Sequence, residues 1–201
     1  MYCKLYPRMK NFDAKEKAEF NQYWYSAKTV ETIVQELIRL DNRRVAFLST
    51  PSVFHVAVQA GVHGDLFDID SKLFNSENEL DDARCFKFDF QQREIATDLQ
   101  GQYDCVVIDP PFITEEVLAA YGHVTKLLLC EKGKILISSI AENSAVLIDT
   151  LDRDIRQVPF KPSIPSLVYQ YSLFVNYEVN EASHFARINS EVDDTATRFI
   201  S

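Results

Sequence analysis

The sequence predicts an α/β fold: a doubly wound, seven-stranded, mostly parallel sheet closed by an antiparallel hairpin at its C-terminal end. Short apolar, β-branched runs alternate with amphipathic helical segments along most of the chain. That pattern builds a parallel sheet with helices on both faces. The last two runs, near residues 154–160 and 169–177, follow one another without a clear helix between them, so they should pair antiparallel. The third observation is the stretch from Tyr103 to Phe112. There a buried strand ends in an acid, Asp109, and is stopped by Pro110 and Pro111.

Length and composition set the frame. The 201 residues suit one domain with a single substantial core, and 46% hydrophobic with 25% charged residues is ordinary for a globular chain. No apolar run is long enough to span a bilayer, and the N-terminus lacks the apolar region of a signal peptide. The four cysteines, Cys3, Cys85, Cys105 and Cys130, form no Cys-x-x-Cys pair. They read as free thiols in a reducing compartment, with no metal site, and the expected location is cytoplasmic. A formal charge of −9 speaks against nucleic acid, whose affinity comes from neutralised phosphates, and suits a basic partner.

In chain order, residues 1–20 read as a loosely patterned N-terminal arm that turns helical near Lys15. Residues 21–178 form the main domain, and 179–201 a polar tail, partly disordered. Tyr23, Trp24 and Tyr25 are three adjacent aromatics that cannot all face one core, so at least one should line a groove or cover a ligand. Ser26 caps a helix whose Val30, Ile33, Val34, Leu37 and Ile38 share a face. The first buried strand, 44–49, runs through the turn Ser49-Thr50-Pro51-Ser52 into a second helix. Such a turn at a helix N-terminus suits a nucleotide-like ligand. It carries no Gly-x-Gly, which counts against a dehydrogenase or an NTPase.

The second strand, 64–70, also ends in acids. A carboxylate about 20 residues beyond the first strand is placed to accept ribose hydroxyls, with Asp68 the first choice and Asp70 the alternative. Residues 75–83 read as an acidic loop, and a third strand, 84–90, finishes near Asp89. Asp68, Asp89 and Asp109 then deliver three carboxylates to one sheet edge, a polar rim over an apolar floor that fits an adenosine-bearing cofactor. Thr114 caps the next helix, Lys132-Gly133-Lys134 turns into the fifth strand over 135–138, and another helix spans 142–149.

Several of these stretches carry a resemblance. Asp109-Pro110-Pro111-Phe112 resembles the Asp/Asn-Pro-Pro-aromatic motif of amine-methylating enzymes that use S-adenosyl-L-methionine. Together with Gln22-Tyr23-Trp24-Tyr25-Ser26, Ser49-Thr50-Pro51-Ser52 and Phe67-Asp68-Ile69-Asp70, it looks like one family over residues 20–178. That family is the translation elongation factor 1-alpha lysine methyltransferases, formerly described as N6-adenine methyltransferases. The resemblance implies a Rossmann-like class I methyltransferase fold. It implies that Tyr25, Ser26 and Ser49 to Ser52 face the cofactor, with Asp68 and Ile69 at its ribose, Asp89 and Phe90 near its adenine, and Asp109 beside both cofactor and amine. Asp109, Pro110, Pro111 and Phe112 become the catalytic set, and Tyr23, Trp24 and Phe112 contact the substrate. Phe112 is a departure, since some relatives carry tyrosine there.

Three readings follow. The first is lysine methylation of a basic protein, elongation factor 1-alpha, which fits the acidic charge. The second is adenine-N6 methylation, which fits the Pro-Pro motif equally but would need a flipped base and a basic track for the strand. The third is a non-catalytic binding module that keeps the fold.

Overall fold

The computed structural model describes residues 14–74 and 84–192. The acidic loop expected at 75–83 lies outside the described residues, as do the first 13 residues and the end of the tail. The elements run α1 (Ala27–Arg39), β1 (Val45–Leu48), α2 (Pro51–Gln59), β2 (Gly64–Asp68), β3 (Cys85–Lys87) and β4 (Tyr103–Ile108). Then come α3 (Glu115–Leu128), β5 (Leu129–Ser139), α4 (Ser144–Thr150), β6 (Arg156–Gln157) and β7 (Ser172–Val175).

The sheet has seven strands in the order β3-β2-β1-β4-β5-β7-β6. β1 pairs in parallel with β2 and β4, β2 with β3, and β4 with β5, whereas β7 runs antiparallel to both β5 and β6. This is the expected doubly wound sheet with its closing hairpin. Strand order reverses between β1 and β4, and the crevice at their carboxyl ends is where ligands bind in open α/β sheets.

Successive strand residues point to opposite faces, so a strand covered on both sides must be apolar throughout. In β1, Val45 and Phe47 join one core with Val30, Ile33, Leu37 and Phe54, while Ala46 and Leu48 join the other with Leu118, Tyr121 and Leu147. Helix α1 starts at Ser26, whose side chain accepts the Thr29 N–H, and Thr114 caps α3 through Val117 in the same way. Ile38, expected on the buried face of α1, is 38% exposed at its edge.

Several boundaries differ from expectation, each for a local reason. The helix expected near Lys15 is a single 3-10 turn, Ala18–Phe20, ended by Asn21 in the left-handed region at φ 52°. β3 and β6 are only three and two residues long. They are the two edges of the sheet, where a strand has a partner on one side only. β5 begins at Leu129, before the expected turn, and absorbs that turn as an irregularity around Lys132 at φ 62°.

Beyond residue 179 the chain packs back onto α1. Phe185 is fully buried, and the buried Glu36 carboxylate accepts the Ser183 hydroxyl at 2.9 Å and the His184 N–H at 2.8 Å while Arg39 pairs with it at 2.7 Å. Burial alone would raise the Glu36 carboxyl, but Arg39 and these donors outweigh it and hold it below the usual range.

Candidate active site

The carboxyl ends of β1, β2 and β4 frame a cleft lined by Ser49, Pro51, Asp68, Ile69, Asp109, Pro110 and Pro111. Its other wall is the segment ahead of α1, from Phe20 to Trp24, with Ile164, Leu167 and Tyr171 from the loop before β7. The cleft is open to solvent on one side, and the segment ahead of α1 lies across it as a strap. Lys17 pairs with Asp70, and the Asn21 carboxamide donates to the Pro111 carbonyl. Trp24 Nε1 donates to the Ala14 carbonyl at 2.8 Å.

Asp109 lies one residue beyond β4, its N–H donating to the Leu48 carbonyl at 3.1 Å. Its Oδ1 accepts the Ser138 hydroxyl, and the Tyr25 hydroxyl lies near enough to the carboxylate to favour its charged form. Burial pushes the Asp109 carboxyl up to about 6, against the pull of those two hydroxyls. Asp68, 4% exposed, is likewise raised to about 6, chiefly by burial, although the Asp70 N–H bonds its Oδ1 at 2.8 Å. Asp70 goes the other way. Burial would raise it, yet Lys17, the Lys72 N–H and Gln22 hold it below the usual range. Of the two candidates at the end of β2, Asp68 faces the cleft and Asp70 is taken up by the strap.

The turn after β1 carries polar side chains beside the cleft. Ser49 sits at φ 55°, with its hydroxyl 2.7 Å from that of Tyr121. Thr50 is the N-cap of α2, but its buried Oγ1 has no partner among the described residues, and neither has the buried Gln22 Oε1. Buried polar atoms are normally hydrogen-bonded, so two orphans beside one cleft mark places for ligand donors.

Of the residues singled out from the sequence, the structure brings Tyr23, Trp24, Ser49, Pro51, Asp68, Ile69, Asp109, Pro110 and Pro111 together in the lining. Thr50 and Ser52 are buried just behind it. Tyr25 is buried near Asp109, and Ser26 serves as the α1 cap. Phe112 is 49% exposed outside the lining. Asp89 accepts the Gln91 N–H at 2.9 Å, and Phe90 packs on Tyr121 with ring centroids 6.0 Å apart, both off the cleft. Sequence reasoning did not reach Lys17, Phe20, Asn21, Ser138, Leu167 or Tyr171, whereas Ile164 lies in the loop punctuated by Pro159, Pro162 and Pro165, which the sequence places at the rim of the site. Only Ser138, one of two adjacent serines that end an apolar strand, carries a local signal. Among the described residues no group of His, Cys, Asp or Glu is arranged to hold a metal, and no helix is long and apolar enough to cross a membrane.

Comparison with known proteins agrees with this geometry. EEF1A lysine methyltransferase 1 of Danio rerio is 28% identical over 175 residues, covering 79% of this chain and 96% of that protein. Protein-lysine N-methyltransferase EFM5 of Saccharomyces cerevisiae is 26% identical over 187 residues, covering 82% and 73%. Among solved structures, magnesium protoporphyrin IX methyltransferase from Synechocystis with bound SAM superposes with a TM-score of 0.53 at 16% identity, over 74% of this chain and 77% of that one. A branched-chain polyamine synthase from Thermus thermophilus gives 0.61 at 11% identity, over 81% and 59%. At these identities the structural likeness is one of fold, and the fold is that of class I methyltransferases. Residues 16–179, the span from the strap to the strand that closes the sheet, match the family described as probable N6-adenine methyltransferase, and the chain belongs to that family.

Proposed function

We propose that the chain transfers a methyl group from S-adenosylmethionine to a lysine ε-amine of translation elongation factor 1-alpha. The observation that carries this reading is the Asp109-Pro110-Pro111 turn at the carboxyl end of β4, set at the point where strand order reverses. The curated relatives support the lysine substrate, being named for methylation of a protein lysine or of EEF1A itself.

The residues present fit the methyl donor. Thr50 Oγ1 and Gln22 Oε1 are unpartnered oxygens ready for its polar groups, and Asp68 offers a buried acceptor beside Ile69. On this reading the Ser49–Ser52 turn holds its amino-acid end, Asp68 and Ile69 its ribose, and Asp89 and Phe90 the region of its adenine. When bound, it supplies an electrophilic methyl group on a sulfonium.

A free lysine titrates near 10.4, so only roughly one in two thousand carries a lone pair at neutral pH. The Asp109 carboxylate and the Pro110 carbonyl can accept the two amine hydrogens and aim that lone pair. The two prolines keep the carbonyl rigid, and positioning of this kind supplies much of a transfer rate. Phe112, exposed beside the turn, offers a π face to the incoming ammonium.

A second reading, adenine-N6 methylation, is favoured by the description of the family. The cleft argues against it. No lysine or arginine is among the described residues that line it, and the nearby Lys17 is paired with Asp70. The deciding experiment offers labelled S-adenosylmethionine with elongation factor 1-alpha and with an adenine-containing oligonucleotide in parallel, Asp109→Ala serving as control. Label on the protein that disappears in the variant supports lysine methylation. Label on the oligonucleotide alone overturns it, and label on neither leaves a binding module.

A further inference from the structure

We propose that Tyr25 and Ser138 are positioning residues of the transfer: two hydroxyls, from the strap and from β5, that fix the Asp109 carboxylate in the orientation that meets the amine. The proposal rests on Asp109 receiving the amine, as in the amine-methylation reading above.

The sheet register brings the pair together. Ile108 of β4 lies opposite Ile137 of β5, so Asp109 and Ser138, one residue further along parallel strands, are neighbours. Ser138 follows Ile135, Leu136 and Ile137, all in the core, and is itself fully buried. A hydroxyl there is costly unless it finds an acceptor, and its hydrogen bond to Asp109 Oδ1 meets that need. Tyr25 is 8% exposed, and burial first and the nearby Asp109 charge second raise its phenol, so it stays a neutral hydroxyl beside that carboxylate. A carboxylate has about four lone-pair sites. With Oδ1 held by Ser138, lone pairs remain for the cleft, which Asp109 lines together with Pro110 and Pro111. Hydroxyls suit the task better than cations would. They orient the carboxylate and favour its charged form modestly, without quenching the charge that the amine has to meet.

The other ionisable groups that face Asp109 are Tyr171, from the loop before β7, and Tyr121, from α3. Burial raises both phenols first, and the Asp109 charge raises them further, so both stay neutral. Among the described residues no lysine, arginine or histidine acts on the Asp109 carboxyl, which burial sets at about 6 against the two hydroxyls. Each hydroxyl removed should therefore raise it further.

The test uses Ser138→Ala and Tyr25→Phe, with Ser138→Thr as the conservative partner. The first readout needs no substrate: side-chain carboxyl carbon NMR of the whole protein, with the Asp109 signal identified by its loss in Asp109→Asn. The Asp109 midpoint should move up by about half a unit or more in Ser138→Ala and in Tyr25→Phe, and return towards wild type in Ser138→Thr. The second readout is turnover. Each single variant should lower kcat by about tenfold and shift its acid limb upward, while the dissociation constant of S-adenosylmethionine stays within about twofold. The double variant should fall short of the product of the singles, since both hydroxyls act through one carboxylate.

An unmoved Asp109 titration in both variants overturns the proposal, as does a loss confined to cofactor affinity, which would make Tyr25 a cofactor contact. If the wild-type protein methylates no protein substrate, the lysine reading fails; the NMR titration then still decides whether these hydroxyls govern Asp109.

Discussion

Asp109 and Asp68 are two acids in one cleft, both raised to about 6 and for the same first cause, removal from water. A carboxyl whose folded pKa exceeds its unfolded value of about 3.9 holds its proton longer in the native state. Native stability therefore falls as pH rises from about 4 to about 6, and the full loss is present above that window. Asn in place of Asp109 removes the loss while keeping an oxygen for Ser138. Because Asp109 is only partly buried, the gain at pH 7.5 should be about 1–2 kcal/mol, a rise of roughly 2–8 °C in Tm for a chain of this size. Methyl transfer should be abolished in the same variant. Thermal melts at pH 7.5 and pH 4 check this: the advantage should be present at the first and vanish at the second. A variant no more stable than wild type at pH 7.5 would mean that the acid is not strained by its burial. A functional group that destabilises its own fold is the expected signature of a site kept for chemistry.

The strap is the element on which the cleft depends, and the one least legible in the sequence. Lys17 and Asn21 meet partners 53 and 90 residues away, and no periodicity along a segment encodes such a meeting. The crowding of Tyr23, Trp24 and Tyr25 did signal that the segment covers something, because three consecutive rings cannot share one core. By contrast α1, β1, β4 and α3 were readable from apolar spacing alone, since each buries a face that its own pattern defines. The packing of residues 179–192 was illegible for a related reason. Phe185 is the only aromatic of that described stretch, and its docking under α1, beside the Glu36 cluster, gives it meaning. The strap covers one side of the cleft, with Lys17 and Asn21 as its anchors there. Lys17→Ala removes one anchor and should raise both the association and the dissociation rate of S-adenosylmethionine several-fold. Trp24, the sole tryptophan and a cleft residue, supplies the stopped-flow fluorescence signal. A change in dissociation alone would make Lys17 an ordinary binding contact, and unchanged rates would mean that the strap does not gate entry.

At the scale of the whole molecule, the two ends of the described chain meet on one helix. Ser26 at the start of α1 bonds Glu191, Lys28 bonds Ser190, and Glu36 near its end holds Ser183 and His184. The strap that crosses the cleft thus emerges from a helix clamped along its length, which gives a short cover a fixed base. The charge of the whole chain points outward from this arrangement. A net charge of −9, with no cation in the described lining of the cleft, is the balance that would steer a basic partner under the proposed function. Steering of that kind acts on encounter and is screened within about 8–10 Å at physiological salt. For a basic protein substrate, kcat/KM should therefore fall on the order of tenfold between low and high ionic strength, while kcat and the affinity for S-adenosylmethionine change little. Initial rates at several salt concentrations, at fixed pH and saturating methyl donor, measure this directly. A flat profile would place recognition in short-range contacts around Phe112 and the cleft rim, whereas a rate that rises with salt would mean that like charges meet at the docking face.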